Sequence, residues 1–404
     1  MKKLKNIGYT FGGNLVFAFI KWLILILIVR FTTPEEVGNY TFAIALTTPL
    51  LLFVNMRLRL RYVVEDNLSF KNVKSLRNIL NIFCFILIFF MGIVFFQNYI
   101  EYIVLVAMIK ILDLQSEIYY SILHKKQNFK AISLMQLGKS IVIITTFFLV
   151  LILSENVLLS LITQISVQIL WLFFIERKST RYIKFEENEI NKKIVYTIFL
   201  TGIPLGIVQL LNSYNILVPR YVIESILSVK MVGIFASISY LLTIIDLFMN
   251  ALSQNIIVNV KNNIENGNFI KLKRFINKGV FIVSLVLVLV LIIPIYFTSK
   301  PIINIVYGEM YAEHSDIFNI VAISIIFNFQ GWIFDTVLMA FKVYKIQLVT
   351  SIITLLISVA TSLVMISNYG LLGAAISVVI IAFSQSAIKY LIVIYLIRKE
   401  GIVV

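Results

Sequence analysis

The sequence predicts an all-α polytopic membrane protein of twelve transmembrane helices in two structural halves, and three observations predict it. Hydrophobic residues make up 60% of the 404 residues and charged residues only 14%, with a mean hydropathy of +0.96, far beyond what a water-soluble fold of this length needs. Twelve apolar segments each supply the roughly 20 residues that cross a hydrocarbon core of about 30 Å. The opening stretch also recurs. Gly202-x3-Gly206 repeats Gly8-x3-Gly12 at an offset of 194, and VGIF at 232–235 repeats VGNY at 37–40 at an offset of 195. A repeat spaced by about half the chain reads as internal duplication, with one half at 1–187 and the other at 188–404.

The first predicted span, 7–30, follows MKKLKN; its apolar run exceeds a signal-peptide core and lacks a small-x-small cleavage site, so it reads as an uncleaved helix. The polar turn TTPEEVGNY leads into the second span, 40–61, which closes on Arg57, Arg59 and Arg61. Spans at 78–96 and 100–123 follow. The latter carries Lys110, Asp113 and Glu117 on one face at i, i+3 and i+7, a spacing that lets them neutralise one another. Spans at 131–153 and 157–175 complete the first half, and the mixed-charge stretch 177–193 reads as the linker. The second half supplies spans at 194–218, 233–258, 275–298, 317–341, 347–367 and 371–397, with 298–316 as the longest outer loop. Pro49, Pro204 and Pro294 are expected to kink their spans.

The formal net charge of +15 is distributed as topology demands. With the chain starting in the cytoplasm, 27 of the 35 Lys and Arg residues fall inside, which predicts both termini and the 177–193 linker on the cytoplasmic side. That asymmetry accounts for the charge without a nucleic-acid partner. The single cysteine, Cys84, lies within a span, which excludes a disulfide or thiolate cluster. His124 and His314 fall in loops on opposite sides, so no paired-histidine metal site forms. Gly138-Lys139-Ser140 matches the end of a phosphate-binding loop, but Ser133 stands where the first glycine belongs, inside an apolar helix. No enzyme activity, metal or cofactor is expected.

What remains is ordered polarity inside the membrane. Ser239, Thr243, Asp246, Asn250 and Ser253 lie along one helix face, as do Gly202, Gly206, Gln209 and Ser213. Thr41, Ala45, Thr48, Asn55 and Arg59 stripe the second span, and Asn14, Ala18 and Lys21 the first. Small-residue stripes of this kind serve helix packing. Lys21 is different, because a lone cation near mid-span costs about 3 kcal/mol or more unless water or an anion meets it. Lys139 and Lys389 lie closer to the inner ends, within partial snorkelling reach. Asp246 and Asp335 have no cation on their own helices, so each either pairs with a cavity lysine or binds a coupling proton or sodium ion.

The segment VGNYTFAIALTTPLLLFVNMRLRLRYVVEDN, its counterpart VGIFASISYLLTIIDLFMNAL and the loop VYGEMYAEHSDIF resemble the Wzx-type polysaccharide flippases of the multidrug/oligosaccharidyl-lipid/polysaccharide exporter superfamily. The resemblance implies two pseudo-symmetric six-helix bundles around a central cavity lined chiefly by spans 1, 2, 7 and 8. It also implies transport of undecaprenyl-diphosphate carrying one oligosaccharide unit, across a bacterial cytoplasmic membrane and among other polysaccharide-assembly membrane proteins. Substrate-binding candidates are then Lys21, Asn14, Asn55, Arg59, Gln209, Asn250, Lys139 and Lys389, with Asp246 and Asp335 for ion coupling or counter-charge; Asp246 is the expected counter-ion of Lys21. Two other readings stand beside this one. A drug or metabolite exporter of the same fold would prefer an acidic cavity, whereas the buried charge here is mostly lysine; a membrane polymerase or ligase would need larger outer loops.

Overall fold

The computed structural model describes residues 19–65, 68–178, 190–242, 260, 262–264, 266–341 and 343–402. Among them every regular element is a helix, as the all-α prediction requires of a backbone that must satisfy its own hydrogen bonds in hydrocarbon. Helix α1 is described over 19–31, followed by α2 (Pro34–Asn55), α3 (Leu58–Val64), α4 (Phe70–Phe95), α5 (Ile100–Lys125) and α6 (Phe129–Ser154). Helix α7 (Val157–Trp171) winds on as a π-helical turn, Leu172–Glu176. Next come α8 (Lys192–Ile226), α9 (Val229–Tyr240), α10 (Phe269–Tyr307), α11 (Glu309–Ala312) and α12 (Ser315–Ala340). The segment Tyr344–Ile402 breaks at Gly370, whose φ of 57° is left-handed, into α13 (344–369) and α14 (371–402).

Eight helices among the described residues are long and apolar enough to cross a membrane, with Ile346–Lys399 taken as one. Helix α5, expected as the fourth span, is not among them; Lys110, Asp113 and Glu117 interrupt its apolar run. The spans expected at 7–30 and 233–258 fall partly outside the described residues. One loop expectation is corrected. Residues 298–316 are largely helical: α10 runs to Tyr307, the chain turns at Gly308, and α11 follows.

The two copies of the repeated turn start their helices in the same way. The Thr33 hydroxyl accepts from Glu36 N while the Glu36 carboxylate accepts from Thr33 N, a capping box that opens α2. Ser228 accepts from Met231 N and opens α9. The two caps stand 195 residues apart, the offset of the Val-Gly pairs. Gly38 and Gly233 each fall four residues past the first helical residue.

Contacts divide the chain into two compact units, 1–213 and 214–404, with the division inside α8. The expected boundary at 187/188 lies outside the described residues. In the first unit α5 is central, packing against α2, α3, α4, α6 and α7. In the second, α12 packs against α9, α10 and the 344–402 segment, and Phe329, Ile333, Val337, Val393 and Ile397 belong to a buried core with Leu272 and Ile276.

Helix α2 continues through Pro49 and ends at Met56 and Arg57, both left-handed at φ 47° and 50°. Arg77 of α4 is fully buried and donates to Val54 O and Asn55 O, each at 3.0 Å. The guanidinium thus satisfies carbonyls at the helix end, which hydrocarbon would not. Beyond the break Arg61 donates to Ile198 O at 2.8 Å and to Thr201 Oγ1 at 2.7 Å on α8. Gly202 and Gly206 permit this approach: a Cβ on Gly206 would lie 2.5 Å from Phe53 O, and one on Gly202 2.8 Å from Met56 Sδ.

Candidate charge site in the first unit

Because α5 is surrounded on several sides, its polar face is shared among neighbours instead of being satisfied along its own length. Asp113 is the hub. Its Oδ2 accepts from Lys21 Nζ of α1 at 2.8 Å, and its Oδ1 lies 3.5 Å from Lys139 Nζ of α6 and accepts from Gln168 Nε2 of α7 at 3.3 Å. The Lys139 side chain, 1% exposed, also donates to Ser116 Oγ at 2.8 Å and lies 3.8 Å from Glu176 Oε1. Glu176 is fully buried at the end of the π-helical turn, and Tyr120 Oη donates to the same oxygen at 2.5 Å. Two lysines and two carboxylates therefore balance in charge. Lys21 differs from the rest in being accessible, with its side chain 53% exposed.

Among the described residues Lys21 pairs with Asp113; Asp246, expected as its counter-ion, lies outside them. Two expectations change here. Asp113 meets lysines of α1 and α6, while Lys110 donates to Ile44 O, Thr47 Oγ1 and Thr48 Oγ1 of α2. The face of α5 thus serves contacts between helices. Lys139 and Lys389, placed within snorkelling reach by sequence, are instead buried against carboxylates; Lys389 Nζ lies 2.6 Å from Asp335 Oδ2 in the second unit.

The other candidates scatter. Asn55 gives its carbonyl oxygen to Arg77. Arg59 is half-buried with its guanidinium 5.8 Å from the centre of the Tyr120 ring, which places it beside the charge cluster. Gln209, on α8, turns its amide toward Leu205 O at 3.5 Å. Asn14 and Asn250 lie outside the described residues. Sequence reasoning overlooked Glu176, Arg61 and Arg77. The visible signal for Glu176 was an acid directly after an apolar span, which reads more simply as a solvated helix end.

Residues 3–258 match the family described as "Polysaccharide biosynthesis protein". The chain is 29% identical over 387 residues to the capsular polysaccharide biosynthesis protein CapF of Staphylococcus aureus, covering 94% of this chain and 96% of that protein. Among solved structures it superposes on the lipid II flippase MurJ in an inward closed conformation with a TM-score of 0.71 at 14% identity, covering 96% of this chain and 89% of MurJ. An inward-facing multidrug resistance MATE transporter of the MOP superfamily gives 0.68 at 15% identity, covering 98% and 94% of the two chains.

Proposed function

Because the chain belongs to the polysaccharide biosynthesis protein family, we propose that it flips an undecaprenyl-diphosphate-linked oligosaccharide unit from the inner to the outer leaflet of a bacterial cytoplasmic membrane. It works by alternating access, coupled to a proton or sodium ion, with Asp335 and Asp246 as coupling or counter-charge carboxylates. Family membership and the likeness to CapF and MurJ support a transporter of lipid-linked polysaccharide. The duplicated caps at Thr33 and Ser228 support two related bundles, 1–187 and 188–404.

The observation that carries the reading is the accessible Lys21–Asp113 pair backed by buried Lys139. A diphosphate entering a region of low dielectric needs a cation that can leave its resting partner. Lys21 can do so without stranding Asp113, whose other oxygen already faces Lys139 and Gln168. Lys21 then binds phosphate, and Asp113 holds the ammonium between cycles.

Complementation of a flippase-null strain tests this. Lys21→Met reaches the membrane in normal amount yet restores no surface polysaccharide, and Lys21→Arg restores part of it. The double variant Lys21→Met/Asp113→Asn separates substrate binding from charge balance, since it removes both partners of the pair. It stays inactive if Lys21 binds substrate. Full activity of the double variant would reduce Lys21 to a counter-ion.

A further inference from the structure

The first turns of α10 and the last turns of α14 pack together at one end of the second unit. Tyr390 Oη donates to Asn277 Oδ1 at 3.2 Å, and from that point both helices continue along one buried core, which holds Leu272 and Ile276 with Val393, Leu396 and Ile397. The pairing gathers Lys271, Lys273, Arg274 and Lys278 of α10 with Arg398 and Lys399 of α14. All six are exposed, and neither 268–280 nor 391–399 contains an acidic residue. Among the described residues none of the six side chains has an ion pair, a hydrogen bond or a ring contact. The first unit treats its cations differently: Lys74 lies over the Tyr119 ring at 5.3 Å, Lys125 over Tyr62 at 4.9 Å and Arg177 over Phe173 at 5.9 Å.

Membrane sidedness asks for cations at a helix end, but not for a polar cleft beside them. Helices α10, α12 and α14 enclose one here, with a volume of about 420 Å³. Its floor is polar: Ser386, 3% exposed, donates to Gln330 Oε1 at 3.2 Å, and Gln330 Nε2 donates to Ser284 Oγ at 3.1 Å. Asn277 lines it from the π-helical turn Phe275–Gly279. Tyr390 occupies the Asn277 carbonyl oxygen, which leaves the Nδ2 amide to donate elsewhere. Lys273 and Arg274 stand one turn before Asn277, and Lys278 follows it directly. About 6 Å further along the helix comes Phe281, which forms an apolar rim with Phe383 of α14; these rings are 64% and 54% exposed.

Cations, then amide and hydroxyl groups, then aromatic rings follow the order of a glycerophospholipid read inward from its phosphate: anionic headgroup, ester carbonyls, acyl chain. We propose that this end of the second unit holds an anionic glycerophospholipid, with its phosphate among Arg274, Lys278 and Arg398, an ester carbonyl on the Asn277 amide and an acyl chain between Phe281 and Phe383. Each basic residue near the bilayer surface adds attraction for an anionic lipid. A polyprenyl diphosphate fits less well, because its hydrocarbon begins at the phosphate and would set the Asn277 donor and the Ser386–Gln330 floor against an apolar chain. The site is independent of the transport reading, since its occupant is a lipid of the surrounding leaflet and not the cargo.

The test uses the full chain in phosphatidylcholine nanodiscs doped with a phosphatidylglycerol that carries a diazirine near the top of one acyl chain. Adducts are expected within 274–281 and 383–394, at a lower half-saturating probe fraction than for a phosphatidylcholine probe with the same diazirine. Arg274→Gln/Lys278→Gln raises that fraction about thirtyfold, while Arg274→Lys/Lys278→Arg keeps it near the wild-type value. Asn277→Leu raises it about fivefold by removing the carbonyl donor. Lys126→Gln/Lys130→Gln takes the same charge from exposed positions of the first unit and leaves labelling at 274–281 and 383–394 unchanged. Every position substituted is exposed, and the variants are expected to melt as the wild type does. Equal labelling by the two phospholipid probes, an equal loss in the Lys126/Lys130 variant, or displacement of the phosphatidylglycerol probe by an equimolar polyprenyl diphosphate overturns the proposal.

Discussion

At the residue scale, Asp113 and the three charges around it form a neutral set in which each buried member has a polar neighbour within reach: Lys139 has Ser116, Asp113 has Gln168, and Glu176 has Tyr120. Removing one charge from such a set costs more than removing a balanced pair, because the remaining partner is left uncompensated. Lys139→Met is therefore expected to destabilise the protein by about 3–5 kcal/mol, and Lys139→Met/Glu176→Gln to recover much of that loss, as thermal unfolding in detergent will report. The lysines of this set were legible in the sequence, since a cation stands out in an apolar run. Their partners were not. Lys21 and Asp113 are 92 residues apart and Lys389 and Asp335 are 54 apart, so no spacing along one helix announces the pairing. Glu176 was hidden for another reason: the π-helical turn at Leu172–Glu176 departs from α-helical register and changes the face on which a terminal acid emerges.

At the element scale, the break after α2 and the glycines of α8 act as one fitting. The small-x3-small motif announced close packing, and the structure supplies its partner, the backbone of Phe53 and the side chain of Met56. Gly206→Ala places its methyl against a carbonyl oxygen that cannot yield, so a loss of about 1–3 kcal/mol is expected. Gly331→Ala in α12 meets open space and, at a helical position, gains up to about 1 kcal/mol. Melting temperatures of the two variants should move in opposite directions; a neutral Gly206→Ala would mean the contact is looser than drawn. Pro49 tells only where a backbone donor is missing. Where a helix actually ends depends on what satisfies its carbonyls, and that partner, Arg77, comes from another helix.

At the scale of the whole molecule, each unit is built around one aspartate-bearing helix, α5 with Asp113 and α12 with Asp335, and each aspartate meets a lysine of a neighbouring helix. The membrane class and most span positions were readable because hydrocarbon imposes length and apolarity on each helix separately. Helix α5 tested that rule, since its charged face makes it less apolar than its neighbours. The lysines and arginines of the loops predict a sidedness, with both termini inside, that labelling can test. In a Cys84→Ser background, a cysteine at Glu313 is expected to react with an impermeant maleimide in intact cells and one at Asn188 only after lysis. Labelling of position 188 in intact cells would reverse the orientation.

The guanidinium of Arg77 also constrains biogenesis. It reaches back 22 and 23 residues to the carbonyls of Asn55 and Val54, so as the chain leaves the ribosome, those oxygens emerge well before the group that binds them. Hydrocarbon penalises such oxygens for as long as they wait. The C-terminal end of α2 is thus better held at the aqueous boundary until α4 has been synthesised, and the two helices partition into lipid together. The expected unit of insertion is then a hairpin of α2 and α4, joined by a charge that neither helix would carry into the bilayer alone.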